Sequence, residues 1–478
     1  MRSFSLFRYA LAFIFCWGSA LTAHASHMMG CDLAYRYIGT ASNPYLYHVT
    51  ARLFQNNNLI INTTSMRLTC GRNECGTTLP GSFTFILTLT SDVLKSGGCP
   101  GSGSPPYRLT TLEGDVQLPP ARWTLSIEGE NRRNGIVNVP QSTQVNVYVA
   151  TELDNSTGLT NSSPRFTTAQ LIQLNSTQPQ QRYSLNAFDV DGDSLVYQLI
   201  QPSGTASLSP CPTFVIGTVA PHFQLNPSTG ELLTVAGPAQ QGAYIVAARV
   251  DEYRRLNGSW QRIGSVLSDQ LYFVLLSNNQ LPAFTRVAHA SNPTGQLLGQ
   301  PIRVNPGQLL ALRLTATDPD AGQALTLTSE LPGIVPGVTF QDLGSGQAQL
   351  NWQVPASFPL GRYTLTATAT DNSCPLSGNV VVSLPILVTQ QVLATRSRQP
   401  LAQLPHPMPF QDEVRFQLAG GGNQQVLITD EVGRTVAQLT TALDGRIVWQ
   451  PSSTVPAGVY LARTVGGIQV ARLSYSGR

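Results

Sequence analysis

The chain has 478 residues, of which 12% are charged, and its formal net charge is +3. A charge this small and this scattered excludes the basic footprint of a nucleic-acid-binding protein. The length predicts about three domains. The 41 glycines and 33 prolines in so weakly charged a chain favour β-sandwich modules joined by tight turns.

The first 25 residues have the pattern of a secretory signal peptide. Arg2 and Arg8 precede an apolar run over residues 9–21, and Ala23-His24-Ala25 supplies a small-x-small cleavage site. The apolar run is too short for a membrane span, and no other stretch reaches the ~18 apolar residues that a spanning helix needs. We therefore expect an exported chain without a transmembrane segment.

Of the seven cysteines, Cys16 lies in this leader, and the other six are an even number. An even number in an exported chain favours disulfides over metal ligation. Cys211 and Cys374 fall in different parts of the chain and are candidates for unpaired thiols. The remaining four allow three pairings, among which the sequence does not decide: Cys31, Cys70, Cys75 and Cys99.

Short runs rich in Val, Thr, Tyr, Leu and Phe recur along the whole chain, each bounded by Gly, Pro, Asn or Asp. This pattern is typical of antiparallel strands, and no long helical period competes with it. Near residue 366, apolar side chains alternate with threonines, which predicts one buried and one solvated face. The sequence therefore predicts an all-β chain of tandem antiparallel β-sandwich modules.

Two segments, 176–278 and 279–392, read as copies of one module. Each has an acidic turn after a strand-like run, at Asp189 to Asp193 and at Asp318 to Asp320, and a later Gly-x-Tyr. This order resembles the cadherin-like and related immunoglobulin-like repeats of bacterial surface proteins. The resemblance implies sandwiches in which the acidic turn and an Asp at the end of a later strand meet at one pole.

The acidic turns are candidate calcium sites, because Ca²⁺ takes six to eight oxygen ligands. Asp and Gly also cap turns through Asx hydrogen bonds without any metal. The linker Asn278-Asn279-Gln280 carries amides where calcium-binding cadherins carry acids, so both interpretations stay open. The candidate ligands are Asp189, Asp191, Asp193 and Asp251 in the first copy, and Asp318, Asp320, Asp371 and the Asn372 carbonyl in the second.

Residues 393–478 carry three ordered elements: Pro407-Met408-Pro409-Phe410, then Asp430 with Gly433-Arg434, then Gly458-Val459-Tyr460. They resemble the type A C-terminal sorting domain of the Bacteroidota type IX secretion system. The resemblance implies passage through the periplasm and recognition by the type IX machinery. It also implies a final place on the outer-membrane surface or outside the cell.

The predicted organisation is a signal peptide (1–25), an N-terminal β-rich module (26–175), the two repeats (176–278 and 279–392) and a sorting domain (393–478). The histidines of the chain match no catalytic motif. The sequence therefore predicts a non-enzymatic adhesin or matrix-like surface protein. Its partner would be a protein or a glycan, which the sequence does not identify. The alternative is a secreted carbohydrate-binding or enzyme-accessory protein, which would need an exposed aromatic platform. The four tryptophans beyond the leader occur one to a module, which favours core packing instead: Trp123, Trp260, Trp352 and Trp449.

Overall fold

The computed structural model describes residues 28–57, 63–72, 80–95, 106–168, 171–178, 180–206, 209–235, 239–289, 292–374, 376–390, 401–465 and 469–477. The leader, Cys75 and Cys99 lie outside these residues. Thirty-four β-strands and two single 3-10 turns, at Ser142–Gln144 and Leu331–Gly333, make up the regular structure of the described residues. The prediction of an all-β chain of antiparallel sandwiches is confirmed.

The first module spans residues 28–154. Its apolar side chains alternate along most strands, so that one face fills a core containing Leu33, Val49 and Trp123. Its strands are β1 Met28–Tyr37, β2 Leu46–Asn56, β3 Ser65–Gly71, β4 Phe83–Lys95, β5 Tyr107–Gln117, β6 Arg122–Asn131 and β7 Asn146–Asp154.

The second module spans residues 165–275 and contains the two longest strands. Its strands are β8 Arg165–Phe166, β9 Gln173–Asn175, β10 Arg182–Ser184, β11 Ala187–Phe188, β12 Ser194–Ile200, β13 Ser203–Ala206, β14 Ser209–Val215, β15 Phe223–Leu225, β16 Glu231–Thr234, β17 Gly242–Leu256 and β18 Ser259–Leu275. One sheet runs β9-β18-β17-β12 and the facing sheet runs β10-β16-β15.

The third module spans residues 283–388 and repeats this strand order. Its strands are β19 Ala283–His289, β20 Asn292–Gln296, β21 Ile302–Val304, β22 Leu309–Thr317, β23 Leu325–Thr328, β24 Val338–Gly344, β25 Gln347–Gln353, β26 Gly361–Asp371 and β27 Asn379–Val388. The sheets run β20-β19-β22-β25-β24 and β21-β27-β26-β23. In both copies a short strand pairs in parallel with the last strand, β9 with β18 and β21 with β27. These orders correspond to the ABED and CFG sheets of an immunoglobulin-like sandwich.

The fourth module spans residues 403–475 and is a smaller sandwich of the same kind. Its strands are β28 Gln403–His406, β29 Val414–Gln417, β30 Gln425–Asp430, β31 Thr435–Thr440, β32 Arg446–Trp449, β33 Gly458–Thr464 and β34 Val470–Tyr475. The sheets run β28-β29-β32 and β31-β30-β33-β34.

Strand β18 joins the first and second modules into one sheet. Along one edge it pairs successively with β7, β1 and β9, and along the other with β17. Because β1 pairs with both β2 and β18, strands β1 to β7 and β18 close into a ring. The predicted boundary at 175/176 therefore lies inside a continuous hydrogen-bonded sheet, and β8 and β9 before it belong to the second sandwich.

The cysteines differ from the expected framework. Cys31 and Cys70 are free thiols, each 0% exposed in the core of the first module, where they pack as small apolar side chains. Burial raises the pKa of Cys70 to about 12, so the reactive thiolate is disfavoured. Cys374, a candidate unpaired thiol, is disulfide-bonded.

Candidate metal sites and module junctions

The first acidic turn links β11 to β12 and is held by its own side chain. The Asp189 carboxylate accepts a hydrogen bond of 2.9 Å from the Asp193 N–H, as in an Asx-type turn. Gly192 has φ of +79°, and a Cβ there would lie 2.6 Å from the Tyr363 hydroxyl oxygen of the third module. Only glycine satisfies both conditions.

Glu252 joins this turn, although the sequence interpretation missed it. On β17, side chains two residues apart point to the same face, and those before Glu252 fill the core of the second module: Tyr244, Val246, Ala248 and Val250. Glu252 continues this series and is 0% exposed. Carboxylate oxygens of Asp189, Asp193 and Glu252 all lie within 4.8 Å of one another.

The predicted ligand Asp251 lies on the other face of β17. Its carboxylate accepts hydrogen bonds from Arg262 at 2.6 Å and from Arg249 at 3.1 Å. The structure therefore brings Asp189 and Asp193 together with Glu252 and not with Asp251. Strand alternation could have identified Glu252, because adjacent side chains on a strand point to opposite faces of the sheet. Asp251 and Glu252 therefore cannot both point toward the acidic turn.

Arg254 supplies positive charge to the same pole. Its guanidinium donates to both oxygens of Asp193, at 2.7 and 2.5 Å, and lies 3.4 Å from an Asp191 oxygen. Asn161, from the segment that follows the first module, accepts from Arg254 at 2.6 Å and donates to Glu252 at 2.8 Å. We call Asp189, Asp191, Asp193, Glu252 and Arg254 the first acidic pole.

The first acidic pole is short of positive charge. Burial, followed by the negative charge of Asp193, raises the pKa of Asp189 to about 7. Burial and the charge of Asp189 raise the pKa of Glu252 well above its usual value. Asp189 Oδ2 and Glu252 Oε1 are buried and receive no donor from any other described residue, but the two carboxyl groups bond to each other when Glu252 is protonated. Three buried carboxylates and the partly exposed Asp191 lie beside one guanidinium, and this excess of negative charge requires bound protons or a cation.

The corresponding residues of the third module, Asp318, Asp320 and Asp371, form the second acidic pole. Asp371 accepts from the Asn279 amide at 2.8 Å and from the Gly378 N–H at 2.8 Å. Asp320 accepts from the Gln280 N–H at 2.8 Å. The linker thus supplies donors to two of the three carboxylates, as Arg254 does for Asp193 at the first acidic pole.

Asp318 is the least satisfied carboxylate of the second acidic pole. One oxygen accepts from the Asp320 N–H at 2.8 Å, the other is buried without a partner, and burial raises the pKa of Asp318. The Asn372 side chain accepts from the Ala324 N–H at 2.9 Å. Among the described residues, only Asp189, Asp193 and Glu252 form a group of three carboxylates within 4.8 Å, so the second acidic pole is more open.

The residue before the first acidic turn lies in the core of the third module. The Phe188 ring is 5.4 Å from Tyr363 and 6.2 Å from both Trp352 and Phe358, measured between ring centroids. Phe188 is 3% exposed. This aromatic contact fixes the first acidic pole against the third module.

Side chains of the outer faces also meet between these two modules. Thr366 and Thr368 of β26 were predicted to face solvent, but they are 2% and 7% exposed. The Thr366 hydroxyl lies 3.4 Å from the Thr167 carbonyl of the second module. The second module therefore covers a face that alternation alone assigns to water.

The elements that resemble a sorting domain have clear structural roles in the fourth module. Asp430 accepts from the Arg434 N–H at 2.9 Å and from the Arg434 side chain at 2.8 Å, and Gly433 has φ of +89°. The Asp-x-x-Gly-Arg element is therefore a turn closed by its Asp and dependent on its Gly.

The Gly-x-Tyr elements share one arrangement in three modules. The hydroxyls of Tyr244, Tyr363 and Tyr460 donate to the carbonyl four residues earlier, at 2.9, 2.9 and 2.5 Å. Each tyrosine lies near the start of the next-to-last strand of its sandwich, the position of the tyrosine corner in immunoglobulin-like domains. Gly458-Val459-Tyr460 therefore has a packing role common to these sandwiches.

No protein-family model matches this sequence, and no curated protein matches it. One similar solved structure is Drosophila OTK, extracellular domains 3–5, with 9% sequence identity over 66% of this chain and 97% of that chain and a TM-score of 0.17. Mouse clustered PcdhgC3 EC1–3 has 15% identity over 59% of this chain and 83% of that chain, with a TM-score of 0.16. Titin domains z1z2 in complex with telethonin have 12% identity over 49% of this chain and 100% of that chain, with a TM-score of 0.15. TM-scores this low do not identify a fold, and the immunoglobulin-like architecture is shown by the strand order of the sheets. Among the described residues, no helix is long and apolar enough to cross a membrane.

Proposed function

We propose that this chain is a non-enzymatic extracellular scaffold of adhesin or matrix type, in which fixed modules display a binding surface. The observation that carries the proposal is the joining of three modules through their interiors. Strand β18 is shared by the first and second modules, and Phe188 enters the core of the third. Flexibly linked domains ordinarily meet through smaller polar interfaces, so interior contacts of this kind favour a protein built to transmit load.

A buried ion pair adds to this junction. Arg132 of the first module donates to both oxygens of Asp269 on β18, at 2.7 and 2.8 Å, and their side chains are 1% and 3% exposed. Breaking such a pair costs about 3–5 kcal/mol. The first two modules are therefore expected to unfold as one cooperative unit.

The adhesin proposal is tested by attachment. A strain that lacks this gene is compared with its parent for retention under flow on glass and on immobilised matrix glycoproteins. We expect lower retention in the deletion strain and recovery when the full chain is restored. Equal retention of the two strains on every surface would overturn the proposal.

We propose that the fourth module directs export through the type IX pathway. Support comes from the ordered elements at Phe410 and at Asp430 to Arg434, which are followed by Gly458 to Tyr460, an element whose packing role the second and third modules share. The test fuses residues 393–478 to a periplasmic fluorescent reporter in a Bacteroidota host with or without a working type IX system. We expect the reporter to leave the cell only in the host with the working system. Retention of the reporter in both hosts would contradict export.

A matched pair of arginines separates recognition from folding in that experiment. Arg434 and Arg446 each form an exposed ion pair with a turn aspartate, at 2.8 and 2.7 Å, and such pairs contribute at most ~1 kcal/mol. We expect Arg434→Ala to lower export and Arg446→Ala to leave it unchanged. Equal export of both variants would remove Arg434 from the signal.

We propose calcium as the cation of the first acidic pole, held by Asp189, Asp193 and Glu252. The hard oxygen donors suit Ca²⁺, and three carboxylates within 4.8 Å of one another outnumber the single guanidinium beside them. The ion would replace the protons that Asp189 and Glu252 otherwise hold, so binding should strengthen as the pH rises. Thermal unfolding of the full chain in 1 mM calcium and in chelator is the test.

We expect calcium to raise the melting temperature of the parent chain and of Asp318→Asn, but not of Asp189→Asn. At about 100 times the dissociation constant, a bound ion adds about 2.7 kcal/mol. Equal melting temperatures in calcium and chelator for the parent would exclude the site. A shift that persists in Asp189→Asn would move the ion elsewhere.

A further inference from the structure

Trp260 differs from the other tryptophans of the described residues. Trp123, Trp352 and Trp449 are 2%, 0% and 2% exposed, as core packing predicts, whereas Trp260 is 39% exposed. It lies next to the turn between β17 and β18, opposite Arg255, at the far end of the hairpin from the core of the second module. An exposed indole combines an apolar face with a polar N–H.

A groove surrounds Trp260 where the second, third and fourth modules meet. One cavity of about 600 Å³ lies between these modules, and a second of about 480 Å³ adjoins it. Trp260, Arg434, Gly192 and Asp193 line both cavities. Volumes of this size, at a junction between domains, are typical of small-ligand sites.

The charged groups of this groove nearly cancel, because its lining carries five carboxylates and four guanidinium groups: Asp189, Asp191, Asp193, Asp430 and Glu431, and Arg254, Arg255, Arg362 and Arg434. Arg362 pairs with Glu431 across the junction of the third and fourth modules, and Arg434 pairs with Asp430 at 2.8 Å. Ion pairs of this kind keep spare donors and acceptors, because a guanidinium has five N–H groups and a carboxylate about four lone-pair sites. The groove therefore offers many hydrogen bonds and little net charge.

We propose that this groove binds a short neutral oligosaccharide, with Trp260 as the stacking platform. The C–H face of a pyranose ring matches the exposed indole, and its hydroxyl groups match the guanidinium and carboxylate groups that line the same groove. A charged glycan or a peptide terminus would gain little, because the positive and negative groups of the groove nearly cancel. This inference goes beyond the scaffold function and does not depend on it.

The test is isothermal titration calorimetry of the full chain with hexasaccharides of glucose, xylose, mannose and N-acetylglucosamine. We expect at least one sugar to bind with a dissociation constant between micromolar and millimolar, with a change in tryptophan fluorescence. Trp260→Ala should weaken that binding about tenfold or more. Tyr45→Ala, which removes an aromatic side chain that is 40% exposed in the first module, should leave it unchanged.

Arg434→Ala gives a second measurement from the opposite side of the groove, with a several-fold loss of affinity expected. The far-ultraviolet circular dichroism of each variant checks that it folds. Binding of no sugar, or binding that Trp260→Ala leaves intact, would overturn the proposal. Binding of an unstructured peptide that competes at Trp260, with no sugar bound, would assign the groove to peptides and overturn it equally.

Discussion

The second and third modules have the same strand order and the same acidic turns, but their poles are satisfied in different ways. At the first acidic pole, Arg254 and bound protons or a cation must balance four carboxylates, three of which are almost fully buried. At the second, Asn279 and Gln280 of the linker donate to the carboxylates directly. The comparison shows that repeated aspartates fix the shape of a turn, whereas the surrounding strands decide its chemistry.

The largest expected difference between the two copies comes from Arg254. Arg254→Met leaves Asp193 buried without its guanidinium, and the loss of one partner of a buried pair costs about 3–5 kcal/mol. Denaturant unfolding of the full chain measures it. In the third module, Arg313 donates to the half-buried Gln347 side chain in solvent-exposed hydrogen bonds, and no acidic partner of Arg313 lies among the described residues, so Arg313→Met should cost less than ~0.5 kcal/mol. Equal losses would remove the contrast between the copies.

The next effect is expected at the linker. Asn279→Ala removes the amide donor to the buried Asp371, and an unsatisfied buried acceptor costs about 1–3 kcal/mol. Gln280→Ala is the control, because its exposed side chain lies 3.3 Å from Asp320 and its backbone donor is retained. Denaturant unfolding of both variants measures the loss in the free energy of unfolding. If Asn279→Ala loses less than Gln280→Ala, the Asn279 amide does not stabilise the linker.

The pH dependence should come mainly from the first acidic pole. The pKa of Asp189 is about 7 in the folded chain and about 4 when unfolded. The folded state therefore holds more protons between these values, and stability falls as the pH rises from 4 through 7, by at most about 1.4 kcal/mol per unit for this group. Asp189→Asn should flatten the slope measured in chelator. If the slope of stability against pH is unchanged in Asp189→Asn, the pH dependence comes from other groups.

The smallest effect is expected at the contact with the fourth module. The Arg362 and Glu431 side chains are 68% and 42% exposed, so Arg362→Ala should change the free energy of unfolding by less than ~1 kcal/mol. Differential scanning calorimetry of the full chain measures it. A larger loss would show that this ion pair stabilises the contact more than its solvent exposure predicts, beyond the buried hydrogen bond from the Thr389 hydroxyl to the Val432 carbonyl.

The sequence predicts the fold class and the repeat, because alternation and turn residues act locally. The same alternation predicts that Glu252 faces the core, since it follows Val250 by two positions on β17. The burial of Thr366 was not, because it depends on which module lies against β26. The shared strand β18 was equally hidden, since a 17-residue strand shows its three edge partners only after distant segments have folded.

Strand β18 also limits how this chain can be rearranged by gene duplication or domain exchange. A segment moves easily between proteins when its sheets and its core contain only its own residues, as those of the fourth module do among the described residues. The second module would leave behind β1 and β7 without their partner and would carry an open edge to its new host. Open edges invite pairing with foreign strands. The first two modules should therefore be inherited as one block, the third is tied to them through Phe188 in its core, and the fourth is the module most easily exchanged.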